Sequence, residues 1–268
     1  MSDRPPLDVS VPNAARRYNY LLSGKDNFAL DRDSAHRIER FLPAVRVAAS
    51  QNRKFLHRAV EFLTENGVTQ FLDVGAGLPA VVNTHEVAQR INPSARVVYV
   101  DNDPIVAAHG RAWLAPPNGV CTAMVEADLR HPATIVNDPD LHAVLDLTKP
   151  VGLLLVAVLH YLADGDQPHK VVRQLIDALP VGSWLVVSHG TADLLEPALA
   201  DGADIVVKQA GIPMALRSRD DIASFLQGLE LVDPGLVPVQ RWRPGDPVHM
   251  VPADTDVGIY GGVACKHE

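Results

Sequence analysis

The chain has few of the features that mark secreted, membrane-spanning or metal-binding proteins. It has two cysteines, and their separation in the sequence fits neither a disulfide framework nor a zinc site. Its longest apolar run, residues 151–163, falls short of the roughly 20 residues that cross a bilayer. The N-terminus lacks the apolar core of a signal peptide. We therefore expect a cytoplasmic protein with no membrane partner and no bound metal.

Basic residues are also scarce. The chain has 24 Lys and Arg residues against 32 Asp and Glu residues, a formal net charge of -8, and no run of basic residues. Nucleic-acid binding normally needs a basic patch, so nucleic acid is disfavoured as a partner. Hydrophobic residues make up 47% of the 268 residues, which is enough to close a sizeable core. The composition thus predicts a globular protein that does not bind polyanions in general.

The spacing of apolar residues divides the chain near residue 67. Before that point, apolar side chains recur at the three-to-four spacing of helices, and Asn66-Gly67 is a helix stop. After it, short β-branched runs alternate with helical segments, which is the pattern of a parallel sheet. Strands are expected at residues 70–74, 96–101, 122–127, 152–159 and 183–188. We expect an N-terminal helical region (1–67) and a sheet region (68–268) within one structural domain.

Two further apolar runs, residues 236–242 and 257–266, follow an irregular region. A segment rich in proline joins them, which favours an antiparallel hairpin at the end of the sheet. Helix-start signals between the earlier strands, Asn83 with Glu86 and Asp103 before a proline, support βαβ units. The predicted fold class is α/β: a Rossmann-like, mostly parallel, seven-stranded sheet with a C-terminal antiparallel hairpin.

The first predicted strand runs into a glycine turn, Asp73-Val-Gly75-Ala-Gly77. Glycines here let the backbone approach a ligand closely, and ligands of open α/β sheets bind beyond the carboxyl ends of the strands. The spacing Gly75-x-Gly77-x-x-Ala80 also satisfies the dinucleotide fingerprint, with Asp101 near the position of its ribose-binding acid. Spacing alone thus leaves an NAD-dependent oxidoreductase as an alternative.

Asp73 discriminates between the two kinds of cofactor. A carboxylate two residues before the first glycine would repel the doubly charged pyrophosphate of a dinucleotide. S-adenosylmethionine instead carries a sulfonium and an α-ammonium group, which an acid attracts. The carboxylate therefore favours S-adenosylmethionine as the cofactor and indicates a methyltransferase.

The next two predicted strands also end in acids. Asp101 ends the second strand and can accept both ribose hydroxyls, and Asn102 beside it can line the adenine. At the end of the third strand, Asp128 can accept from the adenine amino group, while Leu129 offers a backbone amide. Acids at three consecutive strand ends together favour one adenosine-binding site.

At these residues the sequence resembles class I S-adenosylmethionine-dependent methyltransferases, and more closely a bacterial family formerly classed as a domain of unknown function. The resemblance covers nearly the whole chain. It rests on residues 17–28, 71–79, 83–86, 98–104, 156–160 and 258–266. Lys25-Asp-Asn27 is the most family-specific stretch, whereas the glycine turn is common to the superfamily. Pro79 stands where superfamily members often have a third glycine.

Carried onto this sequence, the resemblance gives each strand end a role. Asp73, Gly75 and Gly77 are expected to bind the methionine part of the cofactor. Asp101 is expected to bind the ribose, and the dipeptide Asp128-Leu129 the adenine.

The resemblance also implies that the N-terminal helices form a lid over the cofactor. Tyr18, Lys25 and Asn27 would then be polar lid residues that bind it. The carboxylate of the cofactor needs a cationic or amide partner. Lys25 and Arg53 are the basic candidates upstream of the first strand, and we favour Arg53.

Methyl transfer is an in-line displacement at an activated carbon, so no single catalytic motif is obligatory. His160 is the candidate base or substrate contact, because it ends the fourth predicted strand at the cleft edge; a core histidine satisfied by the backbone is the alternative. The predicted function is methyl transfer from S-adenosylmethionine to a small-molecule acceptor. An NAD-dependent oxidoreductase and a non-catalytic, S-adenosylmethionine-binding regulatory protein are the alternatives.

Overall fold

The computed structural model describes residues 8–114, 121–245 and 251–267, and its centre is one eight-stranded sheet. The strands are β1 (Gln70–Val74), β2 (Arg96–Asp101), β3 (Thr122–Glu126), β4 (Gly152–Val156), β5 (Trp184–Gly190), β6 (Glu230–Leu231), β7 (Val237–Pro238) and β8 (Ile259–Cys265). Their order is β3-β2-β1-β4-β5-β8-β6, and β7 also pairs with β8. The first five strands run parallel, and β8 runs antiparallel to β5. The predicted α/β class with a mostly parallel sheet is confirmed.

Helices cover both faces of this sheet. They are α1 (Ala14–Leu21), α2 (Ala29–Phe41), α3 (Val45–Glu65), α4 (Thr84–Ile91), α5 (Pro104–Trp113), α6 (Pro132–Val136), α7 (Pro139–Val144), α8 (Pro168–Asp177), α9 (Pro197–Ala200), α10 (Ala203–Gln209), α11 (Arg219–Ser224) and α12 (Asp254–Val257). The predicted capping box is confirmed, since the Asn83 N–H donates to Glu86 Oε2 at 2.7 Å. No helix in these ranges is long and apolar enough to cross a bilayer.

Two hydrophobic cores lie on opposite faces of the sheet. Successive side chains of β4 alternate between them: Leu153 and Leu155 belong to one core and Leu154 to the other. All three are fully buried, which explains why a strand covered on both faces is a continuous apolar run in the sequence. The sheet is packed on both faces, so it holds the loops at the carboxyl ends of its strands in fixed positions.

The N-terminal helices divide into two groups. α3 packs on the sheet, with Phe55 and Leu63 in the same core as Phe71 of β1. Leu21 and Ala35, which lie on α1 and α2, belong instead to a small separate cluster with partners on the first half of α3. Only α1 and α2 therefore lie off the sheet, and the boundary at residue 67 stays a prediction.

The C-terminal edge of the sheet differs in detail from the predicted hairpin. The predicted strand at 236–242 is reduced to Val237–Pro238 and then turns into a short 3-10 helix, Val239–Arg241. Proline has no N–H to donate to a strand ladder, so the pairing stops there. β6 and β7 both pair with β8, which gives eight strands where the sequence predicted seven.

The fourth strand also ends earlier than predicted, at Val156 rather than at residue 159. Ala157 has a positive φ of 54°, and its N–H donates to Ser188 Oγ at 2.9 Å. The chain then turns into a 3-10 helix, Leu159–Tyr161. His160 therefore lies on a turn beyond the strand. The predicted strand was too long because the residues after Ala157 are also apolar.

Candidate functional site

A cavity of about 430 Å³ lies beyond the carboxyl ends of β1, β2, β3 and β4. We call it the first cavity. Residues of α1 and α3 also line it, so it lies between the sheet and the N-terminal helices. Its lining includes nine of the predicted cofactor-binding residues: Tyr18, Arg53, Asp73, Gly75, Gly77, Asp101, Asn102, Asp128 and Leu129.

The glycine turn forms one wall of the first cavity. Gly75 and Gly77 have φ values of 74° and 70°, which favour glycine. A Cβ on Gly75 would lie 2.3 Å from Val158 Cγ2, whereas a Cβ on Gly77 would meet nothing closer than 3.8 Å. The first glycine is therefore required by packing as well as by conformation, and the second by conformation alone.

Asp101 joins the end of β2 to the glycine turn. Its Oδ2 accepts from the Gly77 N–H at 2.9 Å, and its Oδ1 accepts from the Asp103 N–H at 3.0 Å. Burial raises the pKa of Asp101 to about 6, although these two hydrogen bonds oppose the shift. Each carboxylate oxygen has a second lone pair, so the side chain can still accept from a pair of hydroxyls.

Asp73 and Arg53 place opposite charges on the same part of the wall. Asp73 is buried, and its Oδ2 accepts from Thr84 Oγ1 at 2.6 Å. Burial raises the pKa of Asp73, opposed by that hydrogen bond and by the charge of Arg53. Arg53 Nη2 donates to the Val82 carbonyl at 2.6 Å, but its Nε is buried without a partner among the described residues. Such an orphaned donor suits an anionic ligand group.

Arg130 is a residue of this site that sequence reasoning missed. Its guanidinium donates to both carboxylate oxygens of Asp128 and lowers the pKa of that acid. Asn102 Nδ2 also donates to Asp128 Oδ2 at 3.5 Å, so the residues after β2 and β3 are in contact here. The signal in the sequence is the acid followed two residues later by an arginine. The pair fixes the Asp128 carboxylate in one orientation.

A buried hydrogen-bond chain links α1 to the end of β4. Tyr18 OH donates to the Ala49 carbonyl at 3.0 Å and accepts from Asn52 Nδ2 at 3.1 Å. Asn52 Oδ1 accepts from Ser188 Oγ at 2.6 Å, and Ser188 Oγ accepts from the Ala157 N–H. Asn52 was also missed, although a polar residue on the apolar face of α3 was the available signal. These hydrogen bonds hold Tyr18 beside the turn at Ala157, which has a positive φ.

Lys25 and Asn27 are not among the residues that line the first cavity. Lys25 is exposed. Asn27 Nδ2 donates to Asn19 Oδ1 at 2.9 Å and to the Gly24 carbonyl at 3.0 Å, so it closes the turn between α1 and α2. This geometry does not bring the two residues to the first cavity, and their contact with the cofactor stays a prediction.

His160 lies on a second, smaller cavity of about 150 Å³ rather than on the first. Its Nδ1 accepts from the Gly190 N–H at 3.3 Å. Burial, and after it the nearby groups His189, Arg17 and Arg217, hold the pKa of His160 well below its usual range. A neutral ring that accepts at Nδ1 carries its proton on Nε2, so it is suited to donate rather than to act as a base. The first and second cavities share Tyr18, Ala157 and Tyr161.

The chain matches a known protein family and two solved structures over almost its whole length. The family model for S-adenosyl methyltransferases matches residues 1–267. A DUF574 family protein from Streptomyces avermitilis is 40% identical, with 97% of this chain and 99% of that chain covered and a TM-score of 0.89. A candidate methyltransferase from Thermobifida fusca is also 40% identical, with 100% of both chains covered and a TM-score of 0.90.

More distant structures share the fold. An O-methyltransferase family protein from Burkholderia thailandensis is 14% identical, with 98% of this chain and 66% of that chain covered and a TM-score of 0.53. A comparison with curated proteins finds no match. The family model spans all the strand ends that form the first cavity. The chain belongs to the S-adenosyl methyltransferase family, and its cofactor is S-adenosylmethionine.

Proposed function

We propose that the chain transfers the methyl group of S-adenosylmethionine to a small-molecule acceptor, with the cofactor held in the first cavity. One observation carries this proposal: two buried acids and an arginine with an orphaned donor surround a single cavity at the ends of adjacent parallel strands. That set matches the mixed charges of the cofactor, which has cationic, anionic and hydroxyl groups. Such a cavity at the carboxyl edge of an open sheet is where this fold class binds ligands.

The residues present fit the parts of the cofactor in turn. Asp73 suits the α-ammonium group, and Arg53 suits the α-carboxylate through its unpartnered Nε. Asp101 suits the ribose hydroxyls, because both of its oxygens keep a free lone pair. The adenine is left to Asn102 and to the dipeptide Asp128-Leu129, where Arg130 holds the carboxylate in place.

The cofactor supplies a methyl carbon that is already activated by its bond to a sulfonium sulfur. The protein then has to bind, orient and exclude water. Tyr18 and Tyr161 contribute to that enclosure, since both line the boundary between the two cavities. His160 is a contact for the acceptor in this proposal, and its Nδ1 is occupied by the Gly190 N–H. A base at His160 is therefore disfavoured relative to a hydrogen-bond donor.

The two alternatives find no support in the family match. An NAD-dependent oxidoreductase would have to bring a pyrophosphate close to the buried Asp73 carboxylate. A regulatory protein that only binds the cofactor differs from an enzyme in turnover. Both alternatives are separable by experiment.

Isothermal titration calorimetry tests the cofactor assignment directly. We expect S-adenosylhomocysteine to bind the wild-type chain and NAD to give no heat under the same conditions. Tight NAD binding without a response to S-adenosylhomocysteine would refute the proposal.

Turnover is tested with methyl-labelled S-adenosylmethionine and a heat-inactivated bacterial lysate, which is separated after the reaction into small-molecule, protein and nucleic-acid fractions. We expect label to appear in small molecules only when the protein is present. Label found only in a protein or nucleic-acid fraction would contradict the small-molecule acceptor. Cofactor binding with no labelled product in any fraction would favour the regulatory alternative.

A further inference from the structure

The second cavity, of about 150 Å³, lies between α1, α2, α10 and the turns after β4 and β5. Most of its lining is aliphatic or aromatic, including Leu21, Phe41, Ala49, Val206 and Leu216. An apolar space of this size accepts a ligand of about one aromatic ring. The body of such a ligand should therefore be compact and apolar.

The second cavity meets the first at a wall that they share. Tyr18, Ala157 and Tyr161 line both cavities. Ala157 has a positive φ, a strained conformation that is concentrated at functional sites when the surroundings hold it in place. A ligand in the second cavity thus lies next to the cavity that we assign to the cofactor.

Arg17 is a buried cation of the second cavity without a matching anion. Its side chain is 4% exposed and lines the cavity. Its guanidinium donates to Ser34 Oγ at 3.4 Å, to Tyr161 OH at 3.4 Å and to Met214 Sδ at 3.3 Å. All three acceptors are neutral, and the two contacts to oxygen are long. Within the described ranges, no carboxylate pairs with it.

Two other buried arginines of the chain show the usual arrangement. Arg16 is 2% exposed and lies 3.5 Å from Asp31 Oδ1. Arg217 is 7% exposed and lies 2.9 Å from Asp164 Oδ1. Buried charges are normally paired, because an unpaired one retains its desolvation penalty. The exception at Arg17 points to a partner that comes from outside the chain.

Other polar groups of the second cavity already have partners. Tyr18 OH bonds to Ala49 and Asn52, as described above, and Thr191 Oγ1 accepts from the Asp193 N–H at 3.1 Å. His160 Nδ1 is likewise occupied, which leaves its Nε2 as a second donor. The charge of Arg17 contributes to the low pKa of His160, which is consistent with the two side chains lying close together. Both groups favour an anion.

We propose that the second cavity binds the methyl acceptor, and that the acceptor is a compact apolar molecule with an anionic group that pairs with Arg17. This inference rests on the proposed function, because it makes the neighbour of the cofactor cavity the acceptor site. The apolar lining binds the body of the molecule, and the guanidinium binds its carboxylate or phenolate.

Three ligands of equal shape and different charge test the inference: benzoate, benzamide and benzamidinium. Each is titrated by calorimetry into the full chain saturated with S-adenosylhomocysteine. We expect benzoate to bind roughly tenfold more tightly than benzamide, and benzamidinium to bind more weakly than both. In Arg17→Gln, benzoate and benzamide should bind equally. The matched control is Arg37→Gln, an exposed arginine of α2, which should keep the preference.

The outcomes separate this inference from the proposed function. If S-adenosylhomocysteine binds but benzoate is not preferred, or if the preference survives in Arg17→Gln, the inference is wrong and the proposed function stands. If S-adenosylhomocysteine does not bind, the proposed function fails first. Should Arg17→Gln not fold, Val206→Trp provides a second test by filling the second cavity. It should abolish benzoate binding and leave the affinity for S-adenosylhomocysteine unchanged; retained benzoate binding would overturn the inference.

Discussion

The two adjoining cavities differ in size, polarity and origin. The first has about 430 Å³ and is lined by acids and amides from the ends of β1, β2 and β3. The second has about 150 Å³ and is lined by apolar side chains of the N-terminal helices and α10, with Arg17 as a buried cation. Sheet edges thus supply the polar groups that match a cofactor of fixed chemistry, whereas helices and turns shape the space beside it. Variation of acceptor within one fold is easiest in the second region.

Removing the Asp101 carboxylate should have the largest effect on cofactor binding and should not affect the second cavity. Asp101→Ala loses the acceptor for two hydroxyls and the contact with the Gly77 N–H. We expect the affinity for S-adenosylhomocysteine to fall by roughly a hundredfold, because bonds to a charged group are strong. Calorimetry measures the loss, and circular dichroism checks that the fold survives. Asp33→Ala removes an exposed acid as a control; unchanged affinity in Asp101→Ala would refute the ribose assignment.

A low pH should have the next largest effect, by weakening the binding of S-adenosylhomocysteine in the first cavity. The pKa of Asp101 is raised to about 6, so the carboxyl is largely protonated at pH 5 and ionised at pH 7.5. Only the ionised form accepts with both oxygens. The affinity for S-adenosylhomocysteine should therefore rise about tenfold from pH 5 to 7.5 and level off above. Asp101→Asn should flatten this dependence; a pH dependence that persists in it assigns the effect to another group.

Arg53→Gln should weaken cofactor binding about fivefold, since it removes the charged donor that we assign to the cofactor carboxylate. Lys54→Gln is the matched control, because Lys54 is the exposed neighbour on the same helix. Calorimetry of both variants separates a specific contact from a change in overall charge. Equal losses in the two would contradict the assignment.

His160→Ala should act on the second cavity and leave the first intact. We expect the affinity for S-adenosylhomocysteine to stay within about twofold and the affinity for benzoate to fall about threefold, because one neutral donor is lost. His160→Gln, which can still donate, should recover part of that loss. A drop in cofactor affinity in His160→Ala would move this residue to the first cavity.

Lys25→Ala should have the smallest effect, with cofactor affinity unchanged within about twofold. Lys25 is exposed and absent from the lining of either cavity. The same calorimetric titration measures this. A clear loss would restore the role that the resemblance to the family implied.

Residues of the first cavity could be predicted from the sequence more readily than those of the second cavity. Asp73 and Asp101 lie at the carboxyl ends of strands that are visible as apolar runs, so both could be placed from local pattern alone. Arg17 meets Tyr161 and Met214 from positions 144 and 197 residues away, and no local pattern links them. Such contacts depend on how the helices pack, which periodicity does not determine.

Local sequence pattern is ambiguous at two further positions. An alanine at position 157 gives no hint of a positive φ, so the sequence predicts a fourth strand that continues to residue 159, which is wrong. Asn27 closes a turn in the structure, and turn-closing amides look the same in a sequence as ligand-binding ones, so its contact with the cofactor stays a prediction.

A crystal structure of the chain with S-adenosylhomocysteine bound would show where each part of the cofactor lies. We expect the ribose hydroxyls at about 3 Å from the Asp101 carboxylate, the amino acid part near Arg53, and the sulfur facing the wall, lined by Tyr161, that the two cavities share. A ligand seated elsewhere, or with its sulfur turned away from that wall, would contradict these assignments.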